Sequence, residues 1–210
     1  MAVSALVLYV IFGALGFGWR SWRQYRATGS TGFRGISGRP GSLEWLAGAG
    51  FIAAIVVGLA AVALQLGGVL TPIDALTAAP VQTAGFVLAI AGIGATLYAQ
   101  NEMGESWRIG VDASETTSLV RTGVFGLARN PIFTAMLVFA AGIAVIIPNA
   151  VALVAFVLLL VTIELQVRVV EEPYLARVHG ADYRDYCAAT GRFVPGIGRS
   201  GPPIAQHLDT

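Results

Sequence analysis

The 210-residue chain is 56% hydrophobic and only 12% charged, with a mean hydropathy of +0.73. That composition excludes a water-soluble domain and reads as an integral membrane protein. A formal net charge of +1, with 13 arginines balanced by 12 acids and spread over three segments, gives no case for nucleic-acid binding.

The apolar spans predicted in chain order are Ala2–Trp19, Leu43–Leu66, Val81–Ala99, Pro131–Ile147 and Ala150–Val167. Each is near the roughly 20 residues a helix needs to cross ~30 Å of hydrocarbon. The expected fold is all-α: an integral membrane bundle of five transmembrane helices. A signal peptide is the alternative for the first span, but that span lacks a basic leading region, and arginines follow it rather than precede it. Ala14 with Gly18 and Gly50 with Ala54 recur at the four-residue spacing that lets helices approach closely in lipid.

Every basic residue is an arginine, and their placement orients the spans. Arg20, Arg23, Arg26, Arg34 and Arg39 follow the first span, Arg108, Arg121 and Arg129 precede the fourth, and Arg168, Arg177, Arg184, Arg192 and Arg199 follow the fifth. The connections at 67–80 and at Pro148-Asn149 carry none. By the positive-inside rule the N-terminus is outside and the C-terminus cytoplasmic, with a tight hairpin at Ile147–Ala150 joining the last two spans. The expected location is the cell (inner) membrane of a bacterium. The cytoplasmic connections Arg20–Ser42, Gln100–Asn130 and Arg168–Thr210 are long enough to build a site. Within them, 27–32 is turn-rich and expected to be mobile, and the tail from Gly196, with Pro202-Pro203, is expected to be poorly ordered.

The single cysteine, Cys187, permits no intramolecular disulfide, and with only His179 and His207 no metal site is expected. No Walker loop, dinucleotide glycine fingerprint or G-x-S-x-G elbow is present. At the end of the fifth span, Arg168 lies four residues after Glu164, and Glu171 and Glu172 lie three and four residues after Arg168, which predicts one helix face. Glu164, about a turn inside the boundary, should face the bundle and pair with Arg168. The plain alternative is an ion pair that only anchors the helix end. Pro173 suits the first turn of a new short helix and Gly180 its stop. A second stretch runs from Gly104-Glu105-Ser106-Trp107-Arg108 through Ile109-Gly110-Val111 and on to Arg129-Asn130-Pro131. Free N–H groups at that helix start, together with Arg129, are expected to seat an anionic group. The alternative is an ordinary capped helix with Arg129 on lipid phosphate.

Thr122-Gly123-Val124-Phe125, Arg129-Asn130-Pro131-Ile132-Phe133, Glu171-Glu172-Pro173-Tyr174-Leu175, His179-Gly180-Ala181-Asp182-Tyr183, Tyr186 and Arg192-Phe193-Val194-Pro195 stand in this order in the chain. Together they resemble the isoprenylcysteine carboxyl methyltransferase and phospholipid methyltransferase superfamily of integral membrane enzymes. That family's pattern is a Gly-x-Tyr turn, Arg-His-Pro-x-Tyr at a helix start, a Glu-Glu pair and Phe-Gly-x-x-Tyr-x-x-Tyr ending near Arg-x-x-Pro. The resemblance spans roughly Glu102 to Pro195.

The resemblance implies S-adenosylmethionine as cofactor, held behind short helices of the C-terminal segment, with a lipophilic acceptor arriving from the bilayer. Leu127, Arg129, Asn130, Pro131, Glu171, Glu172, Tyr183 and Tyr186 would then bind the cofactor. Glu164, Arg168 and Arg192 are the candidates for catalysis and for orienting a polar substrate head. Residues 1–100 would form an N-terminal three-helix membrane region. Residues 101–210 would form the catalytic half, with a helical hairpin at 131–168. The acceptor could be a prenylated thiol or acid, a lipid amine, a quinone or a small thiol.

Departures from the pattern matter. Asn130 replaces the family histidine, Phe125 and Phe133 replace tyrosines, and His179 replaces phenylalanine. Asparagine can donate and accept hydrogen bonds but cannot act as a base. The Gly180–Cys187 pattern also resembles the tail of membrane sterol reductases that bind NADPH, though those chains carry more helices. A non-catalytic protein with the same fold is the third reading.

Overall fold

The structure, a computed structural model, describes residues 1–108 and 118–200; Ile109-Gly110-Val111, Pro202-Pro203 and His207 lie outside the described residues. The described residues are helical, without strands. Four helices are long and apolar enough to cross a membrane: α1 (Ala2–Thr28), α2 (Leu43–Leu66), α3 (Ala79–Met103) and the continuous run Ala150–Ala189. That run comprises α5 (Ala150–Leu165), a π-helical segment Gln166–Glu171 and α6 (Glu172–Ala189). Between α3 and α5 lies α4 (Pro131–Ile146), apolar but only 16 residues long. At 1.5 Å per residue it covers about 24 Å, short of the hydrocarbon thickness expected of a fifth full span.

Local chemistry sets these boundaries. The Ser42 side chain accepts from the Trp45 N–H at 3.2 Å to open α2, and Asn149 accepts from Ala152 N–H at 2.8 Å to open α5. Prolines occupy the first turn of α3, α4 and α6, where no N–H is needed. Gly29, at φ 74°, closes α1 nine residues beyond the predicted end at Trp19. The expected break at Gly180 is present: its φ of 52° and ψ of −117° interrupt α6.

Two close helix pairs make the core, α3 with α4 and α2 with α5. A Cβ on Gly142 would lie 2.4 Å from the Ala89 nitrogen, and one on Gly92 2.4 Å from the Phe139 nitrogen, so glycine is what lets α3 and α4 touch backbone to backbone. Gly50 meets Thr162 across the second pair with Ala54 buried beside it, as the small-residue spacing predicts. Ala14 and Gly18 are exposed and pack against no neighbouring helix. α1 lies on α2 and α4, with Phe12 stacked on Phe139 at 4.2 Å.

At the arginine-poor end, Gln82 donates to the carbonyls of Leu76 and Val145, and Asn149 donates to Gln65 at 2.7 Å. The opposite end gathers the arginines. There Arg20, almost fully buried, donates to the Gly104 carbonyl and stacks on the buried Trp107 at 4.6 Å. Arg20 and Trp107 are thus structural, whereas Trp19, Trp22, Tyr25 and Tyr98 are exposed as an interfacial belt requires.

Candidate active site

A cavity of about 200 Å³ opens at the arginine-rich end. Its walls come from α1 (Phe17), the 29–42 connection (Phe33, Gly35, Ile36), α2 (Gly48, Phe51, Ile52), α3 (Gln100, Met103), Trp107-Arg108, and the 3-10 turn Gly123–Gly126 (Phe125). The start of α4, the π segment (Gln166, Glu171) and α6 (Glu172, Leu175, Tyr183, Tyr186) complete it. Seven of the residues expected at the site meet here: Arg129, Asn130, Pro131, Glu171, Glu172, Tyr183 and Tyr186. Within 27–32, Gly29 caps α1 and Gly32 lies against the Trp107 ring.

The C-terminal strap, residues 190–200, is laced to the start of α4. Arg129 and Asn130 donate their backbone N–H groups to the carbonyls of Gly191 (2.8 Å) and Arg192 (3.0 Å). The Asn130 side chain donates to Arg192 O at 3.1 Å, and Thr134 donates to Phe193 O at 2.8 Å. The strap then folds back, with Arg192 N–H on Ile197 O and Ser200 N–H on Cys187 O. The tail from Gly196 to Ser200 is therefore bonded rather than loose.

Arg129 takes a different part from the one its sequence context suggests. Its guanidinium, 2% exposed, donates to the carbonyls of Cys187, Thr190 (2.5 Å) and Gly198 and to Glu172 at 2.9 Å. Arg192 grips the same carboxylate through two bonds of 2.8 and 3.0 Å. Part of the expected anion seat is taken internally: the Arg129 and Asn130 N–H groups meet strap carbonyls, and the Arg129 charge meets Glu172. Burial alone would raise the Glu172 carboxyl, but Arg192 and Arg129 hold it below its ordinary range.

The charged face predicted for 164–172 does not form. Glu164 and Arg168 pair with each other, 36% and 55% exposed, on the outside of the helix, and neither lines the cavity. The wide turn of the π segment, which begins two residues after Glu164 and contains Arg168, adds a residue and breaks the 3.6 periodicity, which swings Glu171 and Glu172 inward. Hydropathy ends the predicted apolar span at Val167, which leaves Glu171 and α6 beyond it. Leu127 is 61% exposed and does not line this cavity, and the Arg192 side chain reaches the site through Glu172.

Glu171 is the contrasting acid. Its remaining surface opens on the cavity, and burial pushes its carboxyl up to about 7, an effect that the nearby Arg108 charge and a hydrogen bond with Gln166 reduce. Arg108 itself stacks on Tyr174 at 4.9 Å. Tyr186 donates to Phe125 O at 2.5 Å and fixes the Gly123–Gly126 turn. Gly123 is required there twice: its φ is 57°, and a Cβ would collide with the Glu102 carboxyl. Three buried polar atoms on the wall have no hydrogen-bond partner among the described residues: Gln100 Oε1, Arg108 NH1 and Arg129 Nε. Sequence reading missed Gln100 and Gln166 as wall residues, because nothing in their spacing marks them, and it gave Arg108 no role although it stands in the stretch singled out.

A second cavity, about 300 Å³ and almost wholly apolar, lies deeper in the bundle among α1, α2, α4 and α5. Phe17 and Met136 line both cavities. No curated protein matches the chain significantly. The model of the phospholipid methyltransferase family matches residues 81–182, from the start of α3 through the Glu-Glu pair to the first half of α6. Residues 81–182 thus carry a phospholipid methyltransferase domain, of the isoprenylcysteine carboxyl methyltransferase-like group of membrane methyltransferases.

Proposed function

We propose that the protein is an S-adenosylmethionine-dependent methyltransferase that modifies the polar head of a lipophilic acceptor at the cytoplasmic surface of the membrane. The observation that carries the acceptor class is the shared wall of the two cavities: a molecule with its head beside Glu171 can lay an apolar tail past Phe17 and Met136 into the bundle. The positive-inside pattern supports the orientation.

The cofactor, when bound, supplies an electrophilic methyl group on a sulfonium. The wall residues suit such a molecule. Tyr183 and Tyr186 offer ring surface to a nucleobase, and the orphaned donors and acceptor of Arg129, Arg108 and Gln100 suit an amino-acid moiety. Glu172, with Arg129 and Arg192, holds the strap closed over this end and keeps water out. Because methyl transfer mainly requires approach and alignment, these positioning roles are the main demand on the chain.

The test is a binding titration of the detergent-purified protein with S-adenosylmethionine, S-adenosylhomocysteine and NADPH, followed by labelled-methyl transfer to acceptors with and without long apolar tails. Micromolar binding of both adenosyl ligands and preference for tailed acceptors are expected, with Met136→Trp selectively weakening the tailed ones. Binding of NADPH alone would move the protein to reductase chemistry.

A further inference from the structure

We propose that the arginine-rich end of α1, with the facing edge of α3, holds the headgroup of an anionic glycerophospholipid of the surrounding leaflet. This site is separate from both cavities and does not depend on the reaction.

Residues 20–28 carry α1 past its apolar span as a polar stretch with two faces. On one, Arg20 and Gln24 are buried, and Arg20 meets Gly104 and Trp107. The other carries Trp19, Trp22, Arg23 and Arg26, whose offsets of three, four and seven residues align them along the helix. The Trp19 and Trp22 rings lie 4.9 Å apart, and the Arg26 guanidinium lies 5.6 Å from the Trp22 ring. Arg23 donates to Asn101 Oδ1 at 2.7 Å, which joins this face to α3. Neither arginine meets a carboxylate among the described residues; Glu102, next to Asn101, turns its own to the Gly123 turn. Arg129, Arg168 and Arg192, by contrast, all have acids.

Depth and chemistry select the ligand. At 1.5 Å per residue, Arg23 and Arg26 stand about 6 and 10 Å beyond Trp19. The headgroup layer on one side of a bilayer is ~5–8 Å deep, so Arg23 lies at the level of lipid phosphate and Arg26 at its outer edge. A phosphodiester offers two oxygens that a planar guanidinium engages as a pair. Two arginines without acids favour a headgroup of net negative charge, whereas a choline headgroup would bring its own cation against Arg26. Arg23 is held by Asn101 and Arg26 by Trp22, and this preorganisation separates a site from a general interfacial belt. Beneath the arginines, Tyr98 and Gly94 precede Asn101 by three and seven residues and continue its face of α3 into the apolar layer. Tyr98 is exposed, and nothing lies within 4 Å of where a Gly94 Cβ would stand, so an acyl chain has room below the headgroup.

The experiment titrates the whole chain in dodecyl maltoside with phosphatidylglycerol, phosphatidylcholine or inorganic phosphate, and reads retained lipid by native mass spectrometry together with the unfolding temperature. Expected is tighter retention of phosphatidylglycerol than of phosphatidylcholine, with a higher unfolding temperature. Arg23→Gln with Arg26→Gln should weaken phosphatidylglycerol by about fivefold per arginine, roughly thirtyfold together. Arg39→Gln with Arg184→Gln removes as much charge from exposed positions of the same end and should change the affinity by no more than about twofold. Arg26→Gln alone, at a side chain that stacks on Trp22 and makes no hydrogen bond among the described residues, keeps the test valid if the double variant misfolds, and should still cost about fivefold. Equal retention of the two lipids, an equal loss in the Arg39 and Arg184 pair, replacement of the lipid effect by inorganic phosphate, or unchanged affinity in Arg26→Gln each overturns the proposal.

Discussion

Replacing Arg129 with alanine removes the donor that ties four parts of the protein together. Its two terminal nitrogens serve the carbonyls of Cys187, Thr190 and Gly198 and one oxygen of Glu172. Glu172 would keep Arg192, so its charge is not orphaned, and the Cys187 carbonyl would keep the Ser200 N–H; the damage falls on the Thr190 and Gly198 carbonyls and on the strap they belong to. With the guanidinium 2% exposed, solvent screening is minor, and two buried carbonyls left unsatisfied should cost about 3 kcal/mol. For a chain of this length that corresponds to a fall of roughly 10 °C in the apparent unfolding temperature. Arg192→Ala removes a partly solvated group and leaves Glu172 its bond to Arg129, so it should cost only about 1–2 kcal/mol. The assay is thermal unfolding in detergent with limited trypsin digestion, because Arg192 and Arg199 lie in the strap and become cleavable when it lifts. Equal stability losses in the two variants, or unchanged cleavage at Arg199 in Arg129→Ala, would refute the reasoning.

Gly142→Ala should destabilise by about 3 kcal/mol, because the new Cβ meets the α3 backbone at 2.4 and 2.7 Å and neither atom can yield alone. Gly94→Ala, with open space around it, should be neutral or slightly stabilising, and similar unfolding temperatures for the two would count against the close α3–α4 approach. Glu171→Gln should raise stability in alkaline buffer. The folded carboxyl titrates above its unfolded value, so its contribution is full below about pH 4.5 and is lost as pH rises through about 7, a difference of about 3 kcal/mol that unfolding curves at pH 4.5 and pH 8 would reveal.

Much of this architecture was legible because hydropathy and arginine placement are bulk signals. Leu43–Leu66 is bounded as predicted, and Pro173 and Gly180 do what their backbone chemistry dictates. The misses share one cause. Both π segments, Gly13–Trp19 and Gln166–Glu171, lie in runs that read as ordinary helix, and periodicity carries no mark of an inserted residue. The first frees carbonyls inside α1, and Gln100 donates to one of them, Gly16 O, at 2.9 Å. The second turns Glu164 and Arg168 outward while their neighbours turn in. Arg129 lines the cavity, yet its partners lie some sixty residues away in the chain, beyond the reach of local reading.

The division between Glu171 and Glu172 follows from helix geometry. Successive residues on a helix point about 100° apart, so a Glu-Glu pair cannot serve one ligand from both members without distortion. Here one direction meets two arginines and the other meets the cavity. The Glu172 cluster fixes the rotation of the first turn of α6 and thereby aims Glu171. A change at Arg192 would therefore disturb the site without that arginine lining the cavity: Glu171 would be less well aimed, and a titration with S-adenosylhomocysteine should show weaker binding in Arg192→Ala.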